Sequence, residues 1–218
     1  MSAHALRLLL STALLAGSAA HAATSSFASD AEGWVSAFNG GQPVVWADGA
    51  ISVDDNIDQW AYLQAPASFH APIAAGGAFS FDLRHVFTGL AAAYGVRVAL
   101  TSGSTTLIAE AAIPTDQWQR YSFALTEAAG WRSFSNTQQS YSNLAPLATL
   151  ATLNAVLADL DGVYIATDYT NGNILNGQLD RSFIDNVALT GPVPEPQTWA
   201  MLAAGLVALG WIARRRHA

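Results

Sequence analysis

Ala78-Phe79-Ser80-Phe81-Asp82-Leu83-Arg84 carries large apolar side chains at 79, 81 and 83 and small or polar ones between them. Successive side chains of a strand point to opposite sides, so this alternation is a strand with one buried face and one wet face. Working outward, Tyr94, Val96, Val98 and Leu100 repeat the pattern, as do Leu107, Ala109, Ala111 and Ile113. Tyr121, Phe123 and Leu125 follow, and Phe183, Val187 and Leu189 form a last run. Ser102-Gly103-Ser104 separates two runs as a hairpin connection, and Pro114-Thr115-Asp116 marks a further turn. Short alternating runs joined by Gly, Pro and Ser predict an all-β sandwich. One segment differs. Leu144, Leu147, Leu150, Leu153, Val156, Leu157 and Leu160 recur at steps of three and four, which predicts one helix over 146–159 with Pro146 in its first turn. Asp161-Gly162 ends it, and Val163-Tyr164-Ile165-Ala166 begins a strand.

The 218 residues suit one domain plus processing segments. All nine basic residues are arginine and the net charge is −7. Arg7, Arg214, Arg215 and Arg216 lie at the ends, so the middle is more acidic still. Phosphate backbones need clustered cations, and nucleic acid is excluded as a partner on that ground. There is no cysteine, so disulfides, thiol nucleophiles and zinc–thiolate sites are excluded too.

The two ends read as addresses. Arg7 precedes an apolar run over 8–16, and Ala20 and Ala22 flank His21 as an A-x-A cleavage site. This is the order of a secretory signal peptide over 1–22, cut after Ala22. At the other end, Val193-Pro194-Glu195-Pro196 lies in a linker over 192–197. An uncharged apolar segment over 198–213 follows, read as a transmembrane helix, and Arg214, Arg215 and Arg216 head a basic tail over 214–218. At ~1.5 Å per residue such a helix falls short of a ~30 Å hydrocarbon core, which suits a span that is held briefly and then cut. The arginines stay cytoplasmic by the positive-inside rule, so the domain over 23–191 lies outside.

Pro194, Glu195 and Pro196, the apolar segment and the terminal arginines, in this order, resemble the PEP-CTERM sorting signal of Gram-negative bacteria. The resemblance implies recognition by an exosortase, cleavage near the motif and a host that makes exopolysaccharide. The middle resembles the laminin B (laminin IV type A) domain over 27–190. The residues that carry this are Phe27-Ala28-Ser29-Asp30-Ala31-Glu32-Gly33-Trp34, then Trp46 and Ile51, then Trp60-Ala61-Tyr62-Leu63-Gln64-Ala65-Pro66 with Phe69. Gly76-Gly77-Ala78-Phe79-Ser80-Phe81-Asp82-Leu83, Trp131, 157–165 and Ile184-Asp185-Asn186-Val187-Ala188-Leu189 continue it. This resemblance implies a jelly-roll sandwich, an extracellular structural or binding role and no catalysis. The family's cysteine-rich EGF-like companions are absent from the chain.

The search for chemistry yields few candidates. No nucleophile elbow, HExxH or Gly-rich phosphate loop accompanies His70 and His85, and His85 reads as a surface residue at a strand end. Asp54, Asp55 and Asp58 form an acidic patch read as solvated turn chemistry, with a calcium loop as the minority alternative. Asp30, Glu32 and Asp185 are the candidates for a structural calcium joining the first strand to the last, the one cofactor the sequence leaves open. Among Trp34, Trp46, Trp60, Trp118 and Trp131, the last sits with Arg132, Phe134 and Tyr141 in a Ser/Asn/Gln-rich loop. That composition suits ligand binding, while core packing is the competing role for the rings. The expectation is therefore a non-enzymatic exported protein, anchored in the inner membrane before processing and then at the cell surface, outer envelope or extracellular matrix. Its partners are the exosortase, the membrane and exopolysaccharide. A carbohydrate-binding module is the alternative role, and a polysaccharide-active enzyme the third.

Overall fold

The computed structural model describes residues 22–37, 42–55, 61–88, 94–135, 144–170, 180–192 and 205–206. In chain order the strands are β1 (Ala22–Ser25), β2 (Val35–Ala37), β3 (Val45–Ala47), β4 (Ala50–Asp54), β5 (Tyr62–Gln64) and β6 (Ala78–Phe87). Then come β7 (Arg97–Ser102), β8 (Thr105–Glu110), β9 (Gln119–Ala124), β10 (Arg132–Phe134), β11 (Gly162–Ala166) and β12 (Asp180–Thr190), with the helix α1 (Leu150–Ala158) before β11. They form two antiparallel sheets. One runs β3-β4-β12-β6-β9, with β1 also on β12; the other runs β10-β8-β7-β11-β5-β2. A two-sheet sandwich with one helix is the architecture expected.

The central pair, β6 and β12, explains why the sandwich closes. Phe79, Phe81 and Leu83 on β6 and Ile184, Val187 and Leu189 on β12 are buried. They join Val98, Leu100, Leu107, Val163 and Ile165 of the opposite sheet in one core cluster. Moving a strand by one residue would turn its whole apolar set to water, so this burial fixes the register. Gly77 admits the end of β12 against the start of β6: a Cβ there would stand 1.7 Å from the Thr190 carbonyl oxygen. Ser102-Gly103-Ser104 lies at the β7–β8 connection, where Ser102 pairs with Thr105.

The helix is shorter than expected. Pro146 and Leu147 run extended beside β10, where the Pro146 carbonyl accepts from Ser133 N and Leu147 bridges Arg132. Thr149 stops that ladder and starts the helix, its hydroxyl accepting from Thr152 N at 3.2 Å. Leu144, Leu147 and Leu150 are therefore exposed, and the buried stripe is Leu153, Val156 and Leu157, followed by Leu160. The third alternating run also ends early, at Glu110, and Ile113 stands in water.

The signal-peptide residues other than Ala22 and the sorting residues Pro194, Glu195, Pro196, Arg214, Arg215 and Arg216 lie outside the described residues, as do Asp58, Trp60 and Tyr141. Ala22 opens β1 opposite Thr190. Among the described residues no helix is long and apolar enough to cross a membrane; only 205–206 of the expected span are described.

Candidate ligand-binding face

The alternation that buries Phe79, Phe81 and Leu83 turns Ser80, Asp82 and Arg84 to the opposite side of the sheet. Antiparallel register then gathers residues far apart in the chain into rows. Arg84 lies opposite Phe183, and Phe183 opposite Ser52 on its other side. One row along, Asp82 lies opposite Asp185 and Arg120. Between Asp185 and Ala188 the register shifts, and Asn186 takes φ 50° in this bulge. Asparagine tolerates that left-handed conformation, and a bulge re-aims a side chain. The Asn186 amide donates to Asp82 at 2.8 Å and to Asp185 at 3.0 Å.

Charge on this face is tied down. Arg120 donates to Asp82 Oδ1 at 3.2 Å, to the Asn186 carbonyl at 2.8 Å and to Ser80 Oγ at 2.8 Å. Arg181 grips Asp54 through two nitrogens, with Nη2 at 2.8 Å from Oδ2. Arg84 is held differently. Its guanidinium carbon stands 4.3 Å from the Phe183 ring centre and 5.7 Å from that of Trp118. Trp118 itself is 46% exposed. Asp82, Trp118, Gln119, Arg120 and Asp185 line an open groove of about 380 Å³. An exposed indole beside donors and acceptors already ordered by one another is an arrangement that receives a polar ligand with an apolar face.

The loop the sequence offered as a candidate for ligand binding is not this site. Trp131 is 1% exposed, its Nε1 donates to the Ala124 carbonyl at 2.8 Å, and its ring packs 6.4 Å from Phe123. It is a core residue, just ahead of β10, and its carbonyl accepts from Ala148 N. Arg132 donates to the Ala145 carbonyl at 2.7 Å, and Arg132 and Phe134 are half-buried on β10. Trp34 is likewise core, while Trp46 is 41% exposed with its Nε1 on the Phe27 carbonyl.

The calcium candidates are not brought together. Among the described residues no group of three or more histidine or acidic side chains could hold a metal ion. Asp30 caps a turn by accepting from Glu32 N at 2.6 Å, and Glu32 accepts from Ser26 N and Phe27 N. Asp185 instead faces the groove. Nor is the patch at 54–55 a solvated turn. Asp54 ends β4 on Arg181, and Asp55 is buried, its N–H donating to the Asp180 carbonyl at 2.9 Å.

His85 is also corrected. It is 0% exposed, because β6 runs on to Phe87 and residue 85 shares the inward parity of 79, 81 and 83. Its Nε2 lies 3.3 Å from Asp180 Oδ1 and its Nδ1 3.2 Å from Ser182 Oγ, with Tyr169 edge-on at 4.9 Å. Thr170 donates to the other oxygen of Asp180. Burial lowers the His85 pKa to about 4 and raises that of Asp180 to about 6. The set has the residue types of a hydrolytic triad, but Ser182 is 0% exposed and its hydroxyl is spent on the Thr167 carbonyl, so no substrate reaches it. His70 sits apart, at the end of the short 3-10 turn Ala67–Phe69.

Residues 192–216 match the PEP-CTERM protein-sorting motif. No curated protein matches the chain. Among solved structures, the L4b domain of human laminin alpha-2 is similar at 14% identity and a TM-score of 0.51, over 69% of this chain and 83% of that one. A family 29 carbohydrate binding module aligns at 14% identity and a TM-score of 0.40, over 82% of this chain and 97% of that one. A mutant of the module CBM29-2 aligns at 12% and 0.44, over 84% and 96%. The likeness to the laminin domain is one of fold. The sorting motif implies an exported protein processed at the membrane by an exosortase.

Proposed function

We propose that this is a non-catalytic envelope protein that an exosortase cuts from its membrane anchor and leaves in the exopolysaccharide layer, where the sandwich serves an adhesive or structural role. The observation that carries the reading is the sorting motif at 192–216, beginning just where β12 ends at Thr190. The order of parts puts the sandwich outside and the arginines inside. The net charge of −7 keeps such a domain soluble and off nucleic acid. Deleting 194–218 should abolish both envelope retention and the shortening of the protein. The check is mass spectrometry of the C-terminus recovered from exopolysaccharide-producing cells; unchanged processing in the deletion would sink the sorting reading.

The specific support for a carbohydrate contact is Trp118. The C–H face of a pyranose is apolar and stacks on an exposed indole, while the hydroxyls find Gln119, Asp185 and Arg120 along the groove. Trp118→Ala should abolish retention on polysaccharide affinity gels and leave stability within about 0.5 kcal/mol, as surface substitutions do. Equal retardation of both proteins would remove the face from consideration.

A further inference from the structure

The described arginines are unequal. Arg97 pairs with Glu110, Arg120 with Asp82 and Arg181 with Asp54, and Arg132 rests on the Ala145 carbonyl. Arg84 has no acid and no carbonyl among the described residues, and its Nε is buried without a hydrogen-bond partner. A guanidinium carries five N–H donors and no acceptor. Leaving one half-buried and unpaired in an acidic chain needs a reason, because an unpaired charged donor away from bulk water is costly.

The rings supply the geometry. The guanidinium carbon stands over the Phe183 ring at 4.3 Å and over the Trp118 ring at 5.7 Å, and a guanidinium that stacks on rings keeps its in-plane N–H edge for a partner. That edge is a rigid two-donor fork, and a planar carboxylate matches it with two parallel hydrogen bonds. The neighbouring acids are not competitors for it: Asp82 is held by Arg120 and Asn186, and Asp185 by Asn186. Among the described residues Arg84 is the arginine without a carboxylate or carbonyl partner, and it adjoins the exposed indole, while Asp185 in the same groove has only Asn186 on it.

We infer that Arg84 reads a sugar carboxylate, so that the ligand of this face is a uronic-acid-bearing polysaccharide rather than a neutral one. The inference rests on the carbohydrate reading of the Trp118 groove. The indole holds the pyranose by its C–H face, and the fork takes the carboxylate that projects from the ring edge. The net charge of −7 does not oppose this, since at physiological salt charges beyond ~8 Å are largely screened, and close by Arg84 and Arg120 stand against Asp82 and Asp185.

The test titrates the full chain in detergent with three probes: alginate, alginate whose carboxyls have been reduced to alcohols, and a neutral β-glucan. The wild type should bind alginate about tenfold more tightly than the reduced polymer, the step expected for a charge-assisted bidentate pair. Arg84→Gln should erase that difference with an unchanged melting temperature and leave the reduced polymer bound as before. Equal wild-type affinity for alginate and its reduced form overturns the carboxylate assignment and spares the carbohydrate reading. Persistence of the preference in Arg84→Gln overturns the role of this arginine. Binding of none of the three probes overturns both readings. The reduced-polymer comparison needs no variant, so a misfolded substitution cannot shelter the inference.

Discussion

Trp131→Ala is expected to lower the stability of the sandwich by about 3–5 kcal/mol, the range for truncating a buried large aromatic. The ring is 1% exposed and packs on Phe123, so its removal opens a cavity between the sheets. A second loss adds to the first. The Ala124 carbonyl at the end of β9 accepts from the indole Nε1, and that bond between β9 and the segment leading into β10 is lost with the ring. Domains are stable by roughly 5–15 kcal/mol in all, so the variant would sit near the edge of folding. Urea unfolding of the wild type and the variant reads this directly as a shift in midpoint at unchanged slope. The contrast with Trp118→Ala separates the two tryptophans by role: one should cost stability and the other binding. A Trp131→Ala protein of wild-type stability that no longer binds glycan would return the ligand site to the 131–141 loop.

The same contrast measures how far the sequence can be read. Alternation over 78–84 fixed which side chains of β6 face in and which face out, and so already contained both the core and the wet face of the site. What alternation cannot give is register. Phe183 meets Arg84 only because β12 returns from nearly a hundred residues away, and Asn186 reaches Asp82 only through a bulge with no signature of its own. The strands β2, β3, β5 and β10 have three residues each, too few to display a period. For Trp131 local composition left ligand binding and core packing both open: polar neighbours follow it in the chain, while its ring lies in the core with its Nε1 on the Ala124 carbonyl of β9. His85 was legible and misread. Its odd number places it with 79, 81 and 83, and counting the strand two residues further would have buried it. The helix start was legible in the same way, since Thr149 is a favoured N-cap type and Ala145, the residue immediately before Pro146, is not.

The buried pair His85–Asp180 should make stability nearly indifferent to pH between about 4 and 6, and removing either partner should expose a slope of opposite sign. Burial raises Asp180 from 3.8 to about 6, so its contribution is full below its unfolded value and is lost as pH rises toward 6. Burial lowers His85 from 6.5 to about 4, so its contribution is full above 6.5 and is lost as pH falls toward 4. The windows coincide and the slopes oppose. In that range the unfolded chain carries its one proton on the imidazole, and the folded protein carries it on the carboxyl, so folding takes up no net proton. Ser182 donates to the Thr167 carbonyl and so accepts from His85 Nδ1, while His85 Nε2 stands 3.3 Å from Asp180 Oδ1, both atoms buried without a hydrogen-bond partner among the described residues. Burial is the largest influence favouring the neutral acid and the negative field of Asp54 acts in the same sense, while the Thr170 hydroxyl on the other oxygen works against them. Asp180→Asn leaves His85 uncompensated, and stability should then fall, by on the order of 3 kcal/mol, as pH drops from 6.5 to 4. His85→Gln leaves Asp180, and stability should fall instead as pH climbs from 4 to 6. Urea midpoints at pH 4 and pH 6.5 for the three proteins decide it. Parallel midpoints in wild type and Asp180→Asn would mean that the proton does not change hands on folding and that the cluster is held by packing on Tyr169 alone.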